Sequence, residues 1–305
     1  MPHKSLAILT SDWHLRETVP ICRTDDFFKA MEKKVDFIFS LAKEHGCPIL
    51  VAGDLGHSPK WSCQLLEWFI SKITKDLKIF VIPGQHDLLN HRLDSWKSCA
   101  VGVLYASEVI ILLGPEDLQN SWEFDDFIIH AYPYGVLISG VKVRKGDKPH
   151  LAMIHQLVFD TQNQKWQADQ GSLSSSLLKS FECFNVIHSG DNHKRFIIGG
   201  RGRWLVNPGS ILRMTTDQFD HRPCIYLWDG QSCEPVYLPV EEGVVSRDHV
   251  DREEEKDQRI EAYINRLKDE VEIGLDFQSN LENYFRQNRT RKPVIDKVWE
   301  AISEK

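Results

Sequence analysis

Asp, His and amide side chains recur in this chain where apolar, strand-like runs end. The segments are Asp12-Trp13-His14, Gly53-Asp54, Gly84-Gln85-His86-Asp87, His155 and Gly190-Asp191-Asn192-His193. Carboxylate, imidazole and amide groups make a mixed oxygen and nitrogen donor set without thiolate. Such a set suits manganese, iron or zinc better than calcium or copper(I). It is large enough for two divalent metals, and a pair about 3.5–4 Å apart is a known solution for splitting phosphate esters with water. Asp54 has two oxygens and is suited to bridge such a pair. Asp12 and His14, two residues apart in extended or looping backbone, project to one side. Gln85 would add an oxygen ligand without adding charge. His155, Asp191 and His193 would complete the shells.

Ligands so far apart in sequence converge only if several strands end on one rim. Leu6-Ala7-Ile8-Leu9 reads as a buried strand ending at Ser11-Asp12. Residues 26–45 carry Phe27, Met31, Val35, Ile38 and Leu41/Ala42 at helical spacing, with Asp25 or Asp26 as cap and Gly46 as stop. Pro48–Ala52 is the next strand, 61–75 a second helix with Leu65, Leu66, Phe69 and Ile73 inward, and Ile79–Ile82 a third strand. This order predicts right-handed βαβ units, whose ligands bind at the carboxyl ends of the strands. Beyond residue 105 short strands dominate: 109–113, 124–130, 151–155, 185–188, 196–198, 204–206 and 224–228, with one more helix over 173–182. Two packed sheets with helices outside absorb this order, an α/β fold. From about residue 248 the composition becomes densely charged. The stripes Ile260/Tyr263/Ile264/Leu267/Val271, Leu281/Tyr284/Phe285 and Val294/Val298/Trp299/Ile302 then read as helices. The expected organisation is a domain over 1–245 and a helical appendage over 246–305.

The 305 residues, 42% hydrophobic and 27% charged, fit a globular protein of one domain plus an appendage. No apolar run reaches the roughly 18 residues a membrane helix needs. The N-terminus runs straight into a strand, without a signal-peptide core, so the expected location is the cytoplasm. The seven cysteines are dispersed, with no C-x-x-C pair, and read as reduced thiols. A net charge of −7 argues against coating nucleic acid by bulk charge. It does not exclude a nuclease, because metals and local basic clusters supply a positive field.

The order D-x-H, G-D, G-Q-H-D, H, G-x-x-H resembles the calcineurin-like metallophosphoesterase superfamily. Within it the chain looks closest to SbcD-type DNA repair nucleases, especially compact phage-like members; a phage-encoded chain would work in the host cytoplasm. Leu9-Thr10-Ser11-Asp12-Trp13-His14-Leu15, Pro83-Gly84-Gln85-His86-Asp87-Leu88 and Asn207-Pro208-Gly209-Ser210 support this. The resemblance spans roughly 5–240 and implies a two-sheet sandwich flanked by helices. It implies one metal on Asp12, His14, Asp54 and His193, and a second on Asp54, Gln85, His155 and Asp191. His86 would contact the scissile phosphate and help the leaving oxygen depart, with Asp87 orienting His86. Mn²⁺ is the expected metal, with Mg²⁺, Fe²⁺ or Zn²⁺ as alternatives. Two positions depart from the pattern: Gln85 replaces the usual Asn and Asp191 the usual His. The implied partners are DNA and an SbcC-type coiled-coil ATPase docking on the C-terminal helices. A homodimer through 91–105 is a further candidate.

Other chemistry-bearing residues have blander readings. His130 and His188 read as structural histidines, and His57 and His91 as surface ones. The runs Lys142–Lys148, Lys194-Arg195 with Arg201 and Arg203, and Arg286/Arg289/Arg291/Lys292 are candidate backbone contacts for DNA. Two other functions share the motifs: a phosphoesterase for small substrates, and a scaffold with a decayed site. Turnover of small esters with inert DNA would mark the first. Fewer than two metals per chain and no turnover would mark the second.

Overall fold

The computed structural model describes residues 5–144, 146–160, 171–248, 250, 257–264 and 277–303. Strand β1 (Ala7–Thr10) leads to α1 (Phe27–His45), then β2 (Ile49–Val51), α2 (Cys63–Lys72) and β3 (Ile79–Val81). Helix α1 starts where the Asp26 carboxylate accepts the Lys29 N–H at 3.1 Å. It ends at Gly46, whose φ of 59° is the left-handed stop that glycine adopts freely. Its apolar spacing buries Phe27, Met31, Val35, Ile38 and Ala42. After α3 (Ala100–Ala106) come β4 (Ile111–Leu112), β5 (Ser121–Glu123), β6 (Ile128–Tyr132), β7 (His150–His155), β8 (Val158–Phe159) and β9 (Ser172–Leu173). Helix α4 (Ser174–Ser180) then leads to β10 (Val186–Gly190), β11 (Phe196–Gly200), β12 (Arg203–Asn207), β13 (Cys224–Trp228) and β14 (Cys233–Tyr237).

Two mixed six-stranded sheets result, ordered β14-β13-β1-β2-β3-β4 and β11-β12-β10-β7-β6-β5. In the first, β1 to β4 are parallel and β13 and β14 antiparallel. In the second, β12, β10, β7 and β6 are parallel between antiparallel edges. Parallel strands covered on both faces bury successive residues on opposite sides. Ile8, Ile49 and Val81 pack with Met31, Val35 and Phe69 of α1 and α2. Leu9, Leu50 and Phe80 face inward onto Leu151, Met153, Val186 and Val206 of the other sheet. The outer face of the second sheet, with Ile154, Ile187 and Leu205, packs with Leu177 and Phe184. This is the α/β sandwich the motif order implied. The parallel βα units carry β1, β2, β3, β7 and β10 so that their carboxyl ends share one rim.

Some expected boundaries move. The strand placed over 124–130 becomes a hairpin of β5 and β6. Phe124 N–H donates to Phe127 carbonyl at 2.8 Å across Asp125-Asp126, while the two rings stack at 4.4 Å. An apolar run hid this turn because both phenyl rings sit beside it. Strand β14 went unread because Pro235 and Glu234 interrupt its pattern; it is an edge strand, where proline is tolerated.

The described chain divides into two compact units, Met1–Val245 and Ser246–Lys305. The second packs Ile264, Leu281, Phe285 and Val298 between helical residues 257–264 and the helices Phe277–Gln287 and Lys292–Ser303. Leu267 and Val271 of the expected stripe lie outside the described residues. Among the described residues, no helix is long and apolar enough to cross a membrane.

Candidate metal centre

The loops leaving β1 and β2 run side by side. Asp12, His14 and Leu15 N–H donate to the carbonyls of Gly53, Asp54 and Leu55 at 3.1, 3.0 and 3.0 Å. Asp12, His14, Asp54 and Asp191 all adopt positive φ, at 51°, 46°, 52° and 81°. Left-handed backbone at non-glycine residues costs on the order of 1 kcal/mol or more each. Four such residues at strand ends mark where strain is spent on aiming side chains inward.

Asp12 and Asp54 are wholly buried, and the Oδ2 atom of each has no hydrogen-bond partner among the described residues. Asp54 Oδ2 lies 3.6 Å from both His14 Nε2 and His155 Nε2. His14 Nε2 and His193 Nε2 approach to 3.0 Å, and His193 Nε2 lies 4.0 Å from Asp12 Oδ1. The donor atoms of Asp12, His14 and His193 all fall within 4.8 Å of one another, as do those of Asp12, Asp54 and His155. Buried carboxylate oxygens without donors are costly unless positive charge meets them. The set therefore fits divalent metal, with Asp54 Oδ2 between the two groups.

The electrostatics agree. Burial pushes Asp12 up from the usual carboxylate range, although His193 opposes it. Burial holds His14 well below the usual histidine value, in its neutral ligating form. Burial should also keep His155 neutral, yet the carboxylate of Asp54, then those of Asp12 and Asp191, lift it to about 10. Its Nε2 position thus calls for a proton or a cation. Its Nδ1 faces the Ala52 carbonyl at 2.7 Å, and the N–H placed there frees Nε2 to ligate.

Gly53 and Gly190 make room for that ring. A Cβ at Gly53 would sit 2.0 Å from His155 Nδ1; one at Gly190 would sit 2.0 Å from the Ala52 carbonyl oxygen and 2.9 Å from His155 Nδ1. Gly190→Ala should therefore displace His155. The expected loss of metal affinity is about 10–100-fold, as for other supports of ligating residues. Metal titration of the folded variant checks it.

The remaining sequence-derived residues fall into place unevenly. Gln85 Oε1 lies 2.7 Å from His155 Nε2, beside the second group, while its Nε2 donates to Asp191 Oδ1 at 2.5 Å. Asp191 is thus engaged by the Gln85 amide and turns the amide oxygen inward; its own N–H donates to Asp12 Oδ1 at 3.1 Å. The two departures from the motif form one contact. Asp87 is a correction. Its carboxylate does not orient His86 but accepts the N–H groups of Leu55, Gly56 and Gly84 at 3.3, 2.9 and 2.9 Å. It ties the Asp54 loop to the His86 loop. Burial, with Asp54 adding to it, pushes Asp87 up to about 7 against those donors. His86 is oriented by the His57 carbonyl, 3.2 Å from its Nδ1, and its N–H donates to Asp54 Oδ1 at 2.9 Å.

A model of the calcineurin-like phosphoesterase family matches residues 7–193, which span every one of these side chains. The chain belongs to that family. No curated protein matches it. Among solved structures, the phosphoesterase is similar to an archaeal phosphodiesterase at 14% identity, over 76% of this chain and 99% of that one, with a TM-score of 0.38. It is similar to a putative 5'-nucleotidase from Staphylococcus aureus at 10% identity and a TM-score of 0.48, covering 77% of this chain and 54% of that one, about half its length. It is also similar to Pseudomonas putida nuclease MPE at 17% identity and a TM-score of 0.31, over 75% and 87% of the two chains.

His57 is the residue the sequence undersold. It is half-buried, its ring stacks on that of His86 at 5.8 Å, and its donor atoms group with those of His14 and His86. Arg16 Nη1 donates to His57 Nε2 at 2.9 Å. Burial, then Arg16, hold His57 down to about 4. The parallel run of the two loops, which brings Leu15 beside Gly56, carries His57 there. Elsewhere, His130 Nε2 pairs with His150 Nδ1 at 2.8 Å, and His188 is buried with neither ring nitrogen partnered among the described residues. His91 is exposed, edge-on to Tyr134. Arg203 is not a free cation for DNA, because it donates to the carbonyls of Leu178 and Phe184.

Proposed function

We propose that this phosphoesterase is a metal-dependent nuclease that hydrolyses DNA phosphodiester bonds. The rim beside His193 carries the reading. Exposed Lys194 and Arg195 follow His193 directly. Arg195 Nη2 donates to the Tyr237 hydroxyl at 3.2 Å, and the guanidinium carbons of Arg195 and Arg222 lie 5.2 and 4.4 Å from the Tyr237 ring centroid. Tyr237 is 40% exposed. Two guanidinium groups gathered on a partly exposed aromatic ring match a strand of alternating phosphates and flat bases.

In this reading Asp12, His14, Asp54 and His193 hold one divalent cation. Asp54, Gln85 and His155 hold another, with Asp191 fixing the Gln85 amide and Mn²⁺ the expected metal. When bound, such cations supply charge to the phosphate oxygens and lower the pKa of water. The chain's own contribution is positional. Asp54 and Asp87 lock two loops together, and the His57 carbonyl fixes the His86 ring through Nδ1. From there His86, carrying a proton on Nε2, would hydrogen-bond the leaving oxygen and pass that proton to it as the bond from water to phosphorus forms and the ester P–O bond breaks. The helices of the second unit are proposed as the docking element for an SbcC-type ATPase.

The test incubates purified protein with linear single- and double-stranded DNA and Mn²⁺, with and without the ATPase, beside Asp54→Ala. Metal-dependent cleavage that the variant lacks is expected. Replacing Arg195 or Arg222 with Ala should flatten the salt dependence of DNA binding by about one unit of slope per lost phosphate contact. Inert DNA beside efficient turnover of bis-p-nitrophenyl phosphate or cyclic nucleotides would contradict the reading.

A further inference from the structure

A second concentration of charge surrounds a cavity of about 90 Å³ lined by Arg23, Lys33, Lys34, Arg213, Asp25 and Glu241, among others. Both carboxylates are already committed. Arg23 Nε and Nη2 donate to the two Asp25 oxygens at 2.7 and 2.5 Å. Glu241 is exposed at the rim and pairs with Lys33 at 2.7 Å. That leaves Lys34 and Arg213, only 3% and 8% exposed, with no carboxylate at ion-pair distance among the described residues.

Their donors reach carbonyl oxygens alone. Lys34 Nζ donates to Ile211 at 3.0 Å, and Arg213 donates to Phe219 and Glu241 at 3.1 and 2.8 Å. The buried Arg213 Nε–H has no partner among the described residues. Burial, then the neighbouring Arg23 and Arg213, push the Lys34 ammonium down to about 7. A carbonyl dipole does not offset a full buried charge, and an unpaired buried cation is costly. An anion in the cavity would remove that cost.

We propose that this cavity binds a small oxyanion, inorganic phosphate by charge and size, between Arg213 and Lys34. The space holds several waters, which is room for a tetrahedral oxyanion but not for a nucleoside. Arg213 offers the planar, fixed donors that suit phosphate oxygens. The cavity is separate from the metal centre. Lys34 bonds the Ile211 carbonyl, while the Ile211 N–H donates to the Asp12 carbonyl at 3.4 Å; the two sites meet at one residue but share no ligating atom.

The metal centre would itself attract phosphate, so the titration uses chelated, metal-free full-length protein at fixed ionic strength. Calorimetry should show one inorganic phosphate per chain, displaced by sulfate and not by chloride. Affinity should fall at least tenfold in both Arg213→Gln and Lys34→Met. Phosphate should also raise the unfolding temperature of the metal-free wild type, a readout that survives if either variant folds poorly. No phosphate binding to the metal-free wild type would overturn the proposal. Undiminished affinity in a folded Arg213 or Lys34 variant would do the same.

Discussion

Asp54→Asn is expected to strip the protein of metal and its phosphoesterase activity together. Asp54 Oδ2 lies 3.6 Å from both His14 Nε2 and His155 Nε2, one from each proposed metal shell, which is where a bridging ligand would sit. Its other oxygen accepts the His86 N–H at 2.9 Å. An amide keeps the shape but offers one oxygen and no charge, so it cannot serve both contacts. Changes to residues that merely support ligands cost roughly 10–100-fold in metal affinity, and loss of a shared ligand should exceed that. Elemental analysis after gel filtration, with turnover of bis-p-nitrophenyl phosphate, reads both effects. A variant that keeps its metal and loses only rate would show that Asp54 is not a bridging ligand.

His86→Ala should separate the same two quantities. Asp54 holds the backbone N–H of residue 86, which alanine retains, so the carboxylate stays in place. Metal content should be unchanged. On the proposed mechanism this removes the group that serves the leaving oxygen, and kcat should fall by about 10²–10⁴-fold, the usual range for an acid or base group. KM should move less. Loss of metal in this variant would instead make His86 a ligand, in the group its ring forms with His14 and His57.

The parts that were legible from residue order are those with strong local grammar. Helix α1 carries both cap and stop in its sequence, and β1, β2 and β3 are apolar runs ending in Asp or Gly. These fixed the rim on which Asp12, Asp54, Gln85 and His86 gather. What stayed hidden depends on contacts between distant segments. The Gln85–Asp191 bond joins residues 106 apart in the chain, so two odd residues looked like independent defects. Asp87 was read as a partner for its neighbour His86, whereas its acceptors serve backbone N–H groups of another loop. His57 looked like a surface residue because nothing local reveals that Arg16 and His86 close around it. The buried pair Lys34 and Arg213 was equally invisible: Lys34 sits in an amphipathic helix and Arg213 in a loop, and only folding brings them to one cavity.

Anomalous diffraction from crystals grown with Mn²⁺ would locate the cations that Asp54 is proposed to bridge. Two peaks are expected, one among Asp12, His14, Asp54 and His193 and one among Asp54, Gln85 and His155, both within reach of the Asp54 carboxylate. No peak there, or a single metal that leaves Asp54 unbound, would contradict that role.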